Sequence, residues 1–385
     1  MQLAYTPPQQ ALQDRLRAYF ADLMTPELAE ELTTNDGGGP HYMAAMRQLG
    51  EDGWLGLGWP EASGGGGRPP IEEFIFFDEA QRSGFPIPLL TLNTVGPTLA
   101  HNGSEEQRAF YLPKILAGEC HFSIGYTEPG AGTDLASLQT RAVREGDEYV
   151  ITGQKIWNSL GGFADYIWLA CRTDPDARKH KGISILIVPT ASEGVSMTPM
   201  SALGDNDVMA LYLDHVRVPA SNLVGAENGG WRLITTQLNH ERIALMSVGP
   251  LQRLFEETVG GARASGRIDR PWVRQHLSKI DAHLEVLRLM NWQQAAAMST
   301  GNVDYADAST IKVFGSEFYV EAYRLLMEVL GESSALRRGS AHAALAGQIE
   351  RYYRATLVLT FGGGTNEVQR DIIAAAGLRM PRSRR

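Results

Sequence analysis

Five short stretches of this chain combine residue types that could bind or transform a small molecule. They are Tyr126-Thr127-Glu128-Pro129-Gly130-Ala131-Gly132-Thr133-Asp134, Gly153-Gln154-Lys155-Ile156-Trp157-Asn158-Ser159, Gly229-Gly230-Trp231, His240-Glu241-Arg242-Ile243 and Phe361-Gly362-Gly363-Gly364-Thr365-Asn366-Glu367-Val368-Gln369-Arg370. A carboxylate set among Leu238, Ile243 and Leu245, as Glu241 is, would be partly desolvated, which raises its pKa toward that of a useful general base. The competing reading is a helix-surface Glu paired with a neighbouring Arg. Trp157 is either a core aromatic at a strand end or a face for stacking, and Thr127-Glu128-Pro129 could equally be an ordinary proline turn. The generic signatures fail. Gly130-Ala131-Gly132 is followed by Leu135 where a dinucleotide fingerprint needs Gly, no glycine-rich stretch ends in Gly-Lys-Ser/Thr, and neither Gly-x-Ser-x-Gly nor His-Glu-x-x-His occurs. Cys120 and Cys171 stand far apart without zinc-type spacing, which argues against a structural metal and a disulfide framework and points to a reducing compartment.

The elements that must hold these stretches change character twice along the chain. Leu12, Leu16, Tyr19, Phe20 and Leu23 predict a helix over 9–24 that stops before Pro26. Similar spacing predicts helices near 40–50, 70–83 and 88–102, and Ser104 with Gln107 forms a capping box opening a helix toward Leu116. From Cys120 the period shortens to 2, with β-rich segments at 147–152, 165–171, 183–189 and 208–218. Past the turn Gly225–Gly230, helical patterns resume over 231–264, 272–300, 303–330 and 340–360, then 366–376, as in a bundle. The chain therefore reads as α+β: an N-terminal helical domain over 1–118, a middle antiparallel β-barrel domain over 119–225, and a C-terminal four-helix bundle over 226–385. Gly64–Gly67 reads as a surface turn. The 385 residues suit two or three domains. A formal net charge of -9 repels nucleic acid, and the 41 glycines, lacking a Gly-X-Y period, point to functional loops. With no signal segment and no run of ~18 apolar residues, a cytoplasmic protein without a membrane span is expected.

In order, spacing and domain position the five stretches resemble the acyl-CoA dehydrogenase family over essentially the whole chain. Phrases such as Asp165-Tyr166-Ile167-Trp168-Leu169-Ala170-Cys171-Arg172-Thr173-Asp174 and Trp231-Arg232-Leu233-Ile234-Thr235-Thr236-Gln237-Leu238 are most like subunits of bacterial heteromeric enzymes acting on steroid (cholesterol) side-chain CoA thioesters. The resemblance implies FAD as cofactor and an acyl-CoA substrate converted to its 2-enoyl-CoA. It implies cofactor contacts from Tyr126, Thr127, Gly132, Thr133, Trp157, Ser159, Thr365 and Glu367. Thr127 would meet the flavin pyrimidine edge, Trp157 the isoalloxazine face, and Ser159 the N5 atom. Thr133 matches the position near the CoA phosphates, and Leu238, Asn239 and Gly362 would also line the substrate. Relatives remove the α-proton with a glutamate, commonly just before the Gly-Thr of the last stretch, which here is Gly363. A minority place it on the first bundle helix, at the position of Glu241. Glu241 is thus the expected base, with Arg242 orienting or screening it and the Gly363 N–H serving as oxyanion donor to the thioester carbonyl. Glu367, where many relatives have Gln, is the weaker candidate.

Two departures bear on assembly. The Arg-x-x-Phe-Gly expected of homotetrameric relatives is replaced by Arg263-Ala264-Ser265-Gly266-Arg267-Ile268-Asp269-Arg270-Pro271, and a Gly-Gly-x-Gly-Tyr segment by Leu330-Gly331-Glu332-Ser333-Ser334-Ala335. Both normally serve a neighbouring subunit's FAD. Their loss implies a second, different subunit in an α2β2 heterotetramer, and electron-transferring flavoprotein is the expected acceptor. The three glycines 362–364 leave room for a bulky acyl group, or serve a tight turn. Two further readings stay open: a non-catalytic partner subunit, and a flavin oxidase or monooxygenase on the same fold.

Overall fold

The computed structural model describes residues 4–34, 37–205, 207–302 and 304–381, with the backbone alone at Thr34, Asp207 and 238–245. The N-terminal part carries α1 (Pro7–Leu23), α2 (Pro26–Thr34), α3 (Pro40–Glu51), α4 (Pro70–Ser83), α5 (Gly96–Asn102) and α6 (Glu105–Leu116). Leu12, Leu16 and Phe20 of α1 are buried together with Phe76 and Phe77 of α4, as their helical spacing requires. The capping box forms as read: the Gln107 N–H donates to Ser104 Oγ and the Ser104 N–H to Gln107 Oε1, both at 3.1 Å. Gln107 then donates from Nε2 to the carbonyls of Ser221 and Leu223, fastening α6 to the middle of the chain.

That middle part is one sheet of β1 (Phe122–Gly125), β2 (Arg141–Glu145), β3 (Glu148–Ser159), β4 (Tyr166–Arg172), β5 (Ile183–Pro189), β6 (Val195–Ser201), β7 (Asp207–Pro219) and β8 (Leu223–Val224). The strands run β6-β7-β3-β2-β4-β5-β8, with β1 beside β4. The sheet is mostly antiparallel; β1 and β2 each meet β4 in parallel. The helices α7 (Gly230–Leu245), α8 (Gly249–Ala264), α9 (Pro271–Ser299), α10 (Tyr305–Leu330), α11 (Gln348–Thr356) and α12 (Asn366–Ile372) complete the described chain. Leu251, Leu254, Leu277, Leu284, Phe318 and Leu326 lie in the core that α8, α9 and α10 share. Among the described residues, no helix is long and apolar enough to cross a membrane.

The structure redraws several elements. The pattern over 231–264 is two helices, because Pro250 has no N–H to continue α7 and the buried Asp78 carboxylate of α4 accepts from the Val248 and Gly249 N–H groups, each at 2.9 Å, at the start of α8. Over 88–102 a π-helical turn, Leu90–Val95, precedes α5. Over 340–360 only Gln348–Thr356 is α-helical, between 3-10 turns. Besides the short strands β1 and β8, which lie outside the β-rich segments, three elements escape the periodicity. Helix α2 starts at the Pro26 that ends the α1 pattern. Strand β2 is Arg- and Glu-rich. Strand β6, which contains Pro199, lies at the sheet edge where a missing N–H is tolerated. Gly64 lies at φ +83° and Gly67 at φ +59° in the expected turn.

Candidate active site

The turn after β1 is held from below by a buried ion pair. Lys155 Nζ, fully enclosed, lies 2.8 Å from Glu128 Oε1 and donates to the Tyr126 carbonyl at 3.0 Å. Glu128 also accepts the N–H groups of Gln139 (2.7 Å) and Thr140 (2.8 Å). Burial works against its charge, but the Lys155 ammonium and these donors hold the Glu128 carboxyl below the usual range. Glu128 is thus an internal anchor, and Thr127-Glu128-Pro129 is a turn built to stay rigid. Above it, a Cβ added at Gly130 or Gly132 would meet nothing within 4 Å, and neither glycine has left-handed φ. The fold does not require glycine there; bare backbone open to a ligand's close approach does.

Trp157 decides between its two readings. Lys155 pairs with Leu211 and Asn158 with Met209, so Ile156 and Trp157 together oppose Ala210 in a β-bulge. Within it Trp157 adopts φ +62° and is 56% exposed. A core aromatic would be neither exposed nor left-handed, so the core reading fails and the indole is left as a face open at the surface. Its neighbour Asn158 is buried and donates to the Ile124 carbonyl at 3.0 Å, while the exposed Ser159 accepts on its carbonyl from Ser123 Oγ at 2.8 Å. Thr127 gives its carbonyl to the Ile156 N–H at 2.9 Å and remains half-buried. Thr133 is exposed at the rim. The buried Tyr126 hydroxyl donates to Gln237 Oε1 on α7 and accepts from Trp168 Nε1 at 3.2 Å.

Helix α11, which precedes the C-terminal glycines, docks on the same end of the sheet. Register pairs Ser159 with Val208 and Ser201 with Asp207. The β6–β7 tip just beyond is docked on α11 by the Arg354 ion pair with Asp205 and by Arg351 donating to the Gly204 carbonyl at 3.4 Å. Six residues past the end of α11 comes Gly362, followed by Gly363 at φ +66° and Gly364 at φ +93°. Buried Lys312 of α10 fixes this turn by donating to the Gly364 carbonyl and to Asn366 Oδ1, each at 2.7 Å. Thr365 spends its hydroxyl as the N-cap of α12, accepting from the Val368 N–H at 3.2 Å. Glu367 is exposed in the first turn of α12. Leu238, Asn239, Glu241 and Arg242 belong to α7, but their side chains lie outside the described residues.

Rigid turn, open glycines and exposed indole together fit a large planar cofactor with a phosphate-bearing tail. Three family profiles fall in succession on the chain: acyl-CoA dehydrogenase N-terminal domain over 6–119, middle domain over 123–216 and C-terminal domain over 228–378. The chain belongs to the acyl-CoA dehydrogenase family. It is 51% identical to acyl-CoA dehydrogenase FadE26 of Mycobacterium tuberculosis over 403 residues, covering 100% of both chains. Among solved structures, the Tcur3481-Tcur3483 steroid ACAD matches at TM-score 0.96 with 52% identity and 100% coverage of both chains. The ChsE4-ChsE5 complex from Mycobacterium tuberculosis matches at TM-score 0.94 with 52% identity, again over 100% of each chain.

Family motifs alone do not single out Glu128 with Lys155, Lys312 with Asn366, or Gln237. For Gln237 a signal exists, because Leu233, Ile234 and Gln237 share one buried face of α7 and the third is polar. The two segments that depart from acyl-CoA dehydrogenase custom also meet one another. Arg267 turns inward and donates to the Val329 and Leu330 carbonyls, closing the C-terminus of α10.

Proposed function

We propose that this acyl-CoA dehydrogenase is FAD-dependent and forms the α,β double bond of a bulky, steroid-side-chain type acyl-CoA, with Glu241 as base. The observation that carries the reading is Trp157, exposed in a left-handed bulge next to Ile156, whose N–H bonds the Thr127 carbonyl of the turn that carries open Gly130 and Gly132. Tyr126, Thr127, Gly132, Thr133, Trp157 and Ser159 would hold FAD, with Thr365 and Glu367 contributing from the C-terminal turn. When bound, FAD supplies the acceptor for the β-hydrogen as hydride. Everything else falls to the chain. Glu241 takes the α-proton, Arg242 orients or screens that carboxylate, and the Gly363 N–H donates to the thioester oxygen as negative charge develops there. Leu238, Asn239 and Gly362 line the acyl group, with Thr133 toward the CoA phosphates, and the absence of side chains at 362–364 favours a bulky substrate. Likeness to the Tcur3481-Tcur3483 steroid ACAD and the ChsE4-ChsE5 complex supports both the substrate class and a second, different subunit. The inward-turned Arg267 supports the latter, since it is engaged within its own chain. Electron-transferring flavoprotein would reoxidise the enzyme.

The test is anaerobic titration of the FAD-loaded protein, co-expressed with its second subunit, against straight-chain, branched and steroid acyl-CoAs. Bleaching of the flavin band by the steroid thioester is expected, and its loss in Glu241→Gln at unchanged FAD content. Full bleaching in Glu241→Gln would remove this residue as base. Hydrogen peroxide formed stoichiometrically with product in air would favour the oxidase reading.

A further inference from the structure

The thioester donor of the proposed mechanism lies within Gly362-Gly363-Gly364, and glycine gives the backbone its greatest freedom. An oxyanion donor works only if it is already aimed when charge develops. These glycines have no side chains with which to fix themselves, so the fixity must come from their surroundings. Fully buried Lys312 of α10 donates from Nζ to the Gly364 carbonyl and to Asn366 Oδ1, each at 2.7 Å. Asn366 Nδ2 in turn donates to Ser316 Oγ at 3.0 Å, tying the start of α12 back to α10. From α12, buried Gln369 lays its amide against the same turn: Nε2 donates to the Gly363 carbonyl at 3.4 Å, and a Cβ at Gly364 would sit 2.7 Å from that nitrogen. On the other flank the Gly362 N–H donates to the Val358 carbonyl at 2.7 Å. The peptide groups before and after the one that carries the Gly363 N–H are thus both held, while that N–H has no hydrogen-bond partner among the described residues.

We propose that Lys312 and Gln369 are positioning residues: acting through the Gly364 and Gly363 carbonyls, they fix the glycine turn so that the Gly363 N–H meets the thioester oxygen in one orientation. This rests on the reading of that N–H as the thioester donor. Glycines leave room for a bulky acyl group but loosen the backbone, and donors from α10 and α12 restore its order from inside the bundle. A donor released from its geometry loses rate even though the donor itself is still present.

The experiment uses the FAD-loaded complex with its second subunit. The probe is an analogue of the steroid side-chain acyl-CoA with sulfur in place of the β-carbon, which has no β-hydrogen to give up, labelled with heavy carbon at the thioester carbonyl. Parent, Lys312→Met and Gln369→Met are compared for FAD content, Tm, kcat on the steroid acyl-CoA and the infrared band of the bound carbonyl. In the parent that band is expected below the position of the free thioester, because hydrogen bonding weakens the C=O bond. In Lys312→Met it is expected to move back toward the free position and to broaden, with FAD kept and kcat about tenfold lower. Gln369→Met removes the longer bond and is expected to act in the same direction to a smaller degree. A purely structural role would lower Tm and FAD content together and leave the band of the loaded enzyme at the parent position. That pattern, or an unmoved band with parent-level kcat in both variants, overturns the proposal and spares the reading of Gly363. If Lys312→Met does not assemble, Gln369→Met decides by the same criterion. A parent band at the free-thioester position overturns the Gly363 reading and this proposal with it.

Discussion

Trp157 shows how a single residue can be chosen against its own backbone preference. A bulky side chain at φ +62° costs about 1–2 kcal/mol relative to an ordinary conformation. The bulge opposite Ala210 imposes that conformation, and exposure of the indole returns nothing to the isolated fold. Trp157→Gly should therefore separate stability from binding. Relief of the backbone strain offsets the added chain entropy of glycine, about 0.5–1 kcal/mol, so Tm is expected to stay within a few degrees of the parent. The flavin absorbance retained on purification is expected to drop, because the stacking face is gone. A large fall in Tm, seen by calorimetry of the FAD-free protein, would mean that the indole packs the core after all. Gly363, at φ +66°, is the converse case, where the conformation asks for glycine and the side chain that would act as base elsewhere in the family is missing.

At the scale of elements, the turn after β1 and strand β3 are joined by charge. The Glu128–Lys155 pair is enclosed, so its worth depends on both partners being ionised. Glu128 has its folded pKa depressed despite burial. Its contribution is therefore present above the unfolded value of about 4.3 and is lost as pH falls through the lower folded value. Between about pH 5 and 3, the Tm of the parent is expected to fall more steeply than that of Glu128→Gln/Lys155→Met, which removes both charges; parallel slopes in a pH series of thermal melts would count against the pair. Single Glu128→Gln should be far worse than the double change, about 3–5 kcal/mol destabilising, since it strands a buried ammonium. The junction of α7 and α8 is governed likewise by a remote carboxylate, Asp78, which accepts from Ser247, Val248 and Gly249. The N-terminal helices thus decide where the helix bearing Glu241 ends.

For the whole molecule, the proposed site draws on the sheet, on α7 and on the turn before α12, and a second subunit is expected to complete it. Arg267 and Gly331, in the two segments that depart from homotetrameric custom, pack on each other. The chain purified alone is expected to hold substoichiometric FAD and to reach full occupancy on co-expression with its second subunit, read from absorbance against protein concentration; full occupancy in a homotetramer would exclude the requirement.

The sequence by itself determined the succession of helical, β and helical parts, the Ser104–Gln107 cap and the candidate stretches, because these follow from periodicity, local hydrogen bonding and residue order. It also shifted the expected base from position 363 to Glu241, a reading that the Glu241→Gln titration tests. What it left open has one physical cause: the deciding partners are far apart along the chain. Gln237 meets Tyr126 across 111 residues, and Asp78 reaches Val248 across 170. Whether Trp157 was core or surface depended on a bulge set by β7, and whether Arg267 was free depended on the end of α10. No local pattern encodes those meetings; packing of the sheet against the helices decided them.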